Sequence, residues 1–364
     1  MPTINERIDQ ALSQHDLDLI RYSNGHSKDV IRKINNLQAE ITTLIKSAEP
    51  KNRARLEILL AEINQAIDRS YAVIATKSLD EFKELAVIES KAVTQISGRV
   101  FRAPIAPKII SPNIAVRIVE TALAPNTADG MTIGARWIKQ RDGLKTNTRD
   151  GLNYAIKNNQ GLDDMLRIIR GNKSLNFKDG VVFKNKKAAE TLSRTATDTV
   201  VNASRLATYE RNSDTVRGIQ VNAILDSRTT ILCRTRNGWA WHIPSYRPFK
   251  GTPRGFMGAP PWHFNCRSTL SPIFKSLDDL QSVVDPKLNK DIEKRGEKFP
   301  IDGKPAKTPT FNKLLKSMSK AEQESVLGKG RAELYRTGKI TLSDLVNQQG
   351  RTLTLADLKE RYGT

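Results

Sequence analysis

Two runs of residues decide the reading of this chain. A-I-L-D-S-R-T-T-I-L-C-R-T-R-N-G-W-A-W-H-I occupies residues 223–243, and A-P-P-W-H-F-N-C-R-S-T-L-S occupies residues 259–271. Between them lies a loop rich in Pro and Gly, Y-R-P-F-K-G-T-P-R-G-F-M-G, from Tyr246 to Gly258. Both cysteines of the chain, Cys233 and Cys266, fall in this stretch. So do two of its four histidines, His242 and His263, and three of its four tryptophans, Trp239, Trp241 and Trp262. A chain that gathers its rare residues in one place has its most specified local structure there.

Local patterning predicts how the stretch folds. Gly218 to Leu225 alternates as a strand should. Asp226 to Thr230 ends that strand, because Asp, Ser and Thr side chains bond nearby backbone donors. They predict a cap for a short helix carrying Cys233. Asn237-Gly238 predicts a hairpin turn, followed by a strand from Trp239 to Ile243.

Two chemical readings of these residues stand side by side. His263-x-x-Cys266 has the spacing of two ligands, Cys233 stands on the other arm, and Asp226 could complete a tetrahedral set suited to zinc. A metal there would tie the loop ends together. Alternatively Asp226, Arg228, His263, Asn265 and Arg267 form a hydrogen-bonded structural network, with the cysteines as small buried hydrophobes. A catalytic arrangement, with Cys233 as nucleophile, His263 as base and Asp226 orienting it, has no independent support. No G-x-x-x-x-G-K-[ST] loop is present. Asp163-Asp164 and Asp278-Asp279 are adjacent pairs that read as helix caps.

Outward from this centre the chain is mostly helical. Lys186 to Glu210 predicts a helix whose buried stripe is Leu192, Ala196, Val200, Ala203 and Ala207, with Arg194, Arg205 and Arg211 on its flanks. Val181 to Phe183 reads as a short strand or the turn leading into that helix. Before it, Thr132 to Lys139, Asn147 to Asn158 and Leu162 to Ile169 read as short helices, with Gly143, Gly151, Gly161 and Gly171 at ends or turns. Residues 4–46 predict one long helix, with the stripe Val30, Ile34, Leu37, Ile41 and Leu44. A second runs to Ser97, with the stripe Leu56, Leu60, Ile63, Ile67, Ile74, Leu85, Ile88 and Ala92. Pro50 separates the two into an αα-hairpin. Near the end, Phe311 to Met318 and Ala321 to Arg336 predict helices, the latter with a close contact or kink at Leu327-Gly328. Leu342 to Val346 and Leu353 to Tyr362 follow as shorter helical segments.

The expected fold is α+β, mostly α. A long helical hairpin (1–97) is followed by a Pro-rich connector (98–113), a short-helix region (114–184), a small mixed central domain with a β-hairpin (185–275), a basic linker (276–310) and a helical C-terminal segment (311–364).

Composition bears on the partner. Lys plus Arg is 59 against 39 acidic residues, a formal net charge of +20 over 364 residues. That excess favours a polyanion through counterion release. Candidate contacts are Lys184, Lys186 and Lys187; Arg247, Lys250 and Arg254 of the loop; and Lys287, Lys290, Lys294 and Arg295 of the linker. A cellular nucleic-acid reader would need dispersed stacking aromatics, whereas most tryptophans here cluster at one loop. The N-terminal M-P-T-I-N-E-R-I-D-Q has no apolar signal core, and no run of apolar residues is long enough to span a membrane. Two cysteines make no disulfide framework and fit a reducing compartment.

The central stretch resembles the phage minor head protein family, the Mu F-like head-morphogenesis group. The resemblance rests on Leu225-Asp226-Ser227-Arg228-Thr229 with Cys233, on Asn237-Gly238, and on Pro260-Pro261-Trp262-His263-Phe264-Asn265-Cys266-Arg267-Ser268-Thr269. The preceding R-T-A-T-D-T-V-V-N-A-S-R and the later V-L-G-K-G-R-A-E-L-Y-R-T-G-K-I-T-L-S-D-L-V are also similar to segments of such proteins. Many members have C-R-C where this chain has Cys266-Arg267-Ser268. The resemblance implies a non-enzymatic structural protein, present in several copies inside the head at the portal vertex. It implies assembly in the host cytoplasm. It also implies the portal protein, the major capsid protein and packaged DNA as partners, and departure with the genome at ejection. The competing expectation is a metal-dependent nuclease or a toxin-like transferase built on the central domain.

Overall fold

The structure is a computed structural model. It describes residues 2–341 apart from 51, 102–107, 128, 226–228, 282–289, 291–300, 308–314 and 317–318. The segments expected at Phe311–Met318 (except Leu315 and Lys316), Leu342–Val346 and Leu353–Tyr362 lie outside the described residues, as does much of the connector and of the basic linker.

The fold is α+β and mostly α. Helix α1 (Ile4–Ala48) starts at a capping box in which the Glu6 amide donates to Thr3 Oγ1 and the Thr3 amide to Glu6 Oε2. It ends at Glu49, in left-handed conformation just before Pro50. Helix α2 (Arg53–Phe101) returns antiparallel, as the pairs Glu40–Arg69, His26–Glu81 and His15–Glu89 show. Then come α3 (Pro112–Thr121), α4 (Ile133–Lys157), α5 (Leu162–Arg170) and α6 (Val181–Arg211). A three-stranded antiparallel sheet follows, with β1 (Val216–Asn222) between β2 (Ala240–His242) and β3 (Thr269–Phe274). Helix α7 (Ile231–Arg236) links β1 to β2. Among the described residues α8 (Leu277–Gln281), α9 (Lys320–Leu327) and α10 (Lys329–Arg336) follow; the single helix expected at Ala321–Arg336 is two, parted at Gly328, where the sequence suggested a close contact or kink.

Two buried clusters divide the apolar residues. One joins the hairpin to α3–α6 through Ile34, Leu37, Ile63, Phe82, Trp137 and Leu192. The other joins the open end of the hairpin to the sheet through Ile4, Ile8, Val93, Ile219, Trp241 and Leu270.

Several expectations need correction. The two short helices expected at Thr132–Lys139 and Asn147–Asn158 are one helix, α4. Its stripe of Ile133, Trp137, Leu144, Leu152 and Ala155 is continuous and buried, which outweighs about 1 kcal/mol per interior glycine. Gly151 is not a break: a Cβ there would meet Ile168 Cγ2 at 2.5 Å, so the glycine lets α5 approach. Val181 to Phe183 is the first turn of α6, neither a strand nor a separate turn. Ile88 is 57% exposed, off the expected stripe. The buried face there carries Leu85, Ala86, Glu89, Ser90 and Val93.

The polar part of that face explains the largest departure. Arg205, expected on a flank of α6, is fully buried, as is Glu89. The guanidinium donates to Glu89 Oε1 at 2.6 Å, to Asp16 Oδ1 at 2.7 Å and to the Leu270 carbonyl at 3.1 Å. His15 Nε2 lies 2.8 Å from Glu89 Oε2. Burial pushes the Glu89 carboxyl up, but the Arg205 charge and the His15 hydrogen bond hold it below its usual range. His15 is raised, chiefly by its hydrogen bond to Glu89 and against the effect of burial.

Removing one partner of a buried pair strands the other, so Arg205→Met should cost about 3–5 kcal/mol in urea unfolding. Adding Glu89→Gln should recover part of that loss. Strict additivity of the two substitutions would contradict the coupling. His15 is raised on folding, so its contribution is fully present below its unfolded value of about 6.5 and is lost as pH rises through the folded value. The stability gap between wild type and His15→Gln should therefore be larger at pH 6 than at pH 9.

Candidate metal centre

The two arms quoted above meet. Thr230 caps α7, its hydroxyl accepting from the Cys233 amide at 3.3 Å. That places Cys233 in the first turn, facing back toward the cap. The other arm carries His263 and Cys266 in a turn closed by the Cys266 amide donating to the His263 carbonyl at 3.2 Å. Cys233 Sγ then lies 2.9 Å from His263 Nε2 and 3.5 Å from Cys266 Sγ. His263 Nε2 is also 2.9 Å from Thr230 Oγ1, and its Nδ1 is 2.8 Å from the Phe264 carbonyl, which fixes the ring. Both thiols are buried, while His263 is half-buried.

Cys233, His263 and Cys266 form a group that can hold a metal ion, with one ligand atom from each lying within 4.8 Å of the others. In a tetrahedral zinc site sulfur–sulfur distances are roughly 3.8 Å and sulfur–nitrogen distances roughly 3.5 Å. The thiol pair is already near that spacing, and the Cys233–His263 pair has to open slightly. Ser268 is also buried, within reach of the Cys233 thiol, which its hydroxyl helps to hold down. Asp226 and Arg228 lie outside the described residues.

Electrostatics favour anionic sulfur at Cys233 and oppose it at Cys266. The hydrogen bond from Cys266 holds the Cys233 thiol below its usual range despite burial, while burial pushes Cys266 up. Burial alone would lower His263, but its interactions with Cys266 leave it raised. Arg236, 1% exposed, packs over the Trp262 ring at 4.3 Å, and its Nε and Nη1 lack hydrogen-bond partners. Burial lowers it to about 10, and the two thiols pull the other way. Asp198 of α6 is pushed well above the usual carboxylate range by burial, with Cys266 and Asp16 adding to the effect; its Oδ2 has no partner.

Of the alternative network, Asp226 and Arg228 lie outside the described residues. His263 bonds to Thr230 and Cys233, and the Asn265 amide donates to Thr195 Oγ1 at 3.0 Å. Arg267 is half-buried. Asn237-Gly238 makes a turn but no two-residue hairpin: it ends α7, with the Gly238 amide donating to the Val221 carbonyl at 2.8 Å. Sequence reasoning missed Arg236 and Asp198; it placed Thr230 in the cap of α7 but not against His263. Asp198, Asn202 and Arg205, at helical spacings of four and three, mark one polar stripe on α6.

Among the expected cationic contacts, Lys184, Lys187, Arg247, Lys250 and Lys290 are exposed, and Lys186 and Arg254 are half-buried. Lys187 pairs with Glu190 at 3.1 Å. Lys287, Lys294 and Arg295 lie outside the described residues. No helix among the described residues is long and apolar enough to cross a membrane. Comparison with protein-family models, with curated proteins and with solved structures gives no match.

Thr230 serves both arms, so Thr230→Val should cost about 1–2 kcal/mol in urea unfolding. Thr230→Ser should retain most of the stability. Equal losses in both variants would show that the hydroxyl does not matter.

Proposed function

We propose that the chain is a structural minor head protein of a tailed phage, held at the portal inside the head and contacting packaged DNA without sequence preference. In this reading Cys233, His263 and Cys266 bind zinc, which locks the central loop rather than catalysing a reaction. One observation carries it. The residues on which the family resemblance rests converge, with Cys233 from one arm 3.5 Å from Cys266 of the other. Both thiols are buried, which suits a staple. The formal charge of +20 supports a polyanionic neighbour.

The donor set fits zinc: two thiols and one imidazole, with space for one more ligand. Asp226 remains the fourth ligand expected from the sequence. Ser268, standing where many family members have cysteine, is buried beside Cys233. When bound, zinc would hold both sulfurs as thiolates, and Arg236 would offset their charge.

Metal analysis of the purified chain should give one zinc per molecule. Cys233→Ser or Cys266→Ser should abolish that zinc and lower the melting temperature, and Ser268→Cys should bind it more tightly. A zinc-free, equally stable wild type would remove the staple. A map of head particles assembled with this chain should place it at the portal vertex, beside the genome. Its absence from purified heads would remove the head-protein reading. The competing enzyme reading would be favoured if His263→Ala folded and still assembled but lost a nuclease or transferase activity.

A further inference from the structure

The loop between α5 and α6 builds a second concave site, far along the chain from the metal centre and outside the stretches that carry the family resemblance. A cleft of about 520 Å³ opens there. It is lined by Gln38 of α1, Arg170 at the end of α5, Asn176 and Phe177 of the loop, and Phe183 and Lys186 of α6. That size suits a ligand as large as a nucleotide.

We propose that this cleft binds an unpaired nucleotide of a single-stranded nucleic acid, the phosphate held by Arg170 and Lys186 and the base stacked on Phe177. The proposal does not depend on the head-protein reading.

Three independent features support it. The first is charge. Arg170, Lys173, Lys178 and Lys186 make no ion pair with a carboxylate among the described residues. The acids near them in sequence are engaged elsewhere: Asp164 by Arg167, Glu190 by Lys187 and Arg194, and Asp179 by the Asn172 amide and side chain, both at 2.8 Å. Lys186 is half-buried and its partner is the neutral Gln38 Oε1 at 2.6 Å. Burial without a carboxylate lowers its affinity for its proton, a cost that a bound phosphate would relieve. The second is the first turn of α6, which contributes Phe183 to the cleft wall. Its cap, Gly180, is buried against the Arg170 backbone, so what this turn offers the cleft is the half-buried, apolar Phe183 ring as a wall for a base.

The third is the placement of Phe177, which is 44% exposed. It has φ +61 and follows Asn176 at φ +50. A bulky residue in the left-handed region is an outlier, and such strain persists where surrounding structure enforces it. Here the Phe177 amide donates to the Asn172 carbonyl at 2.8 Å, and Gly171, at φ +90, packs so close that a Cβ would lie 2.6 Å from the Phe177 carbonyl oxygen. The backbone that presents the ring is thus fixed. An exposed ring beside paired cations is how single strands are held: stacking on the base face, charge along the backbone. A duplex hides its base faces and offers only phosphate.

The test is fluorescence anisotropy on the full-length chain, with a labelled oligothymidine and with a duplex of equal length. Wild type should bind both. Phe177→Leu should weaken single-strand binding about tenfold and leave duplex binding unchanged, while Lys186→Gln should weaken both. Equal effects of Phe177→Leu on the two ligands, or none on either, would overturn the proposal. Irradiation of wild type on 5-iodouracil oligonucleotides avoids any folding defect of a variant. The expected cross-links fall within residues 170–186, and cross-links only elsewhere would also overturn it. A chain that binds duplex but not single strand loses this cleft and keeps the electrostatic DNA contact proposed above.

Discussion

One buried guanidinium sets the geometry of the molecule. Arg205 has no access to water, so each of its donors must be met by protein, and the loss of any partner is costly. The partners come from three elements: Glu89 of α2, Asp16 of α1 and the Leu270 carbonyl of β3. An apolar stripe would allow these elements to slide by a turn at modest cost. A charge that must find two carboxylates and a carbonyl does not allow it. The hairpin, the central helix and the sheet are therefore held in one register.

That register reaches the candidate metal centre through a short path. One turn before Arg205, Asn202 donates to the Ser268 carbonyl at 3.0 Å and accepts from the Leu270 amide at 2.9 Å. These bonds fix β3 where it leaves Cys266. One turn earlier again stands Asp198, whose buried carboxyl is influenced by Cys266. Helix α6 thus acts as a rail along which the returning arm is aligned. Only the last step, closing Cys233 and His263 onto Cys266, is left to the site itself. A long loop separates those arms, and closing it has an entropic cost that a metal bridge between its ends would offset.

How much of this was readable in the sequence differs by residue type. The long helices announce themselves, since stripes such as Ile34, Leu37 and Ile41 repeat without ambiguity. The convergence of Cys233, His263 and Cys266 was readable because rare residues were concentrated there, and the Thr230 cap because its chemistry is local. What was not readable depends on tertiary partners. Gly143 and Gly151 look like helix ends until α5 is seen against Gly151. Arg205 looks like a solvated flank because nothing near it in sequence reveals Glu89, more than a hundred positions away. Phe177 lies in a polar loop without periodicity, and its backbone conformation leaves no trace in residue type.

The two proposed sites should respond differently to salt, which allows them to be separated by experiment. Ionic screening acts on exposed charges within about a Debye length and hardly at all on fully buried pairs. The Arg205–Glu89 pair is out of reach of solvent ions, and both thiols of the candidate metal centre are buried. The cations around Phe177 and along the loop at Arg247 are exposed or half-exposed. Raising salt should therefore leave the fold intact while it strips polyanions from the surface. A steep loss of nucleic-acid binding with salt then reports on counterion release, not on unfolding. The part of single-strand binding that survives high salt isolates the stacking contribution, because an apolar ring against a base face is not screened.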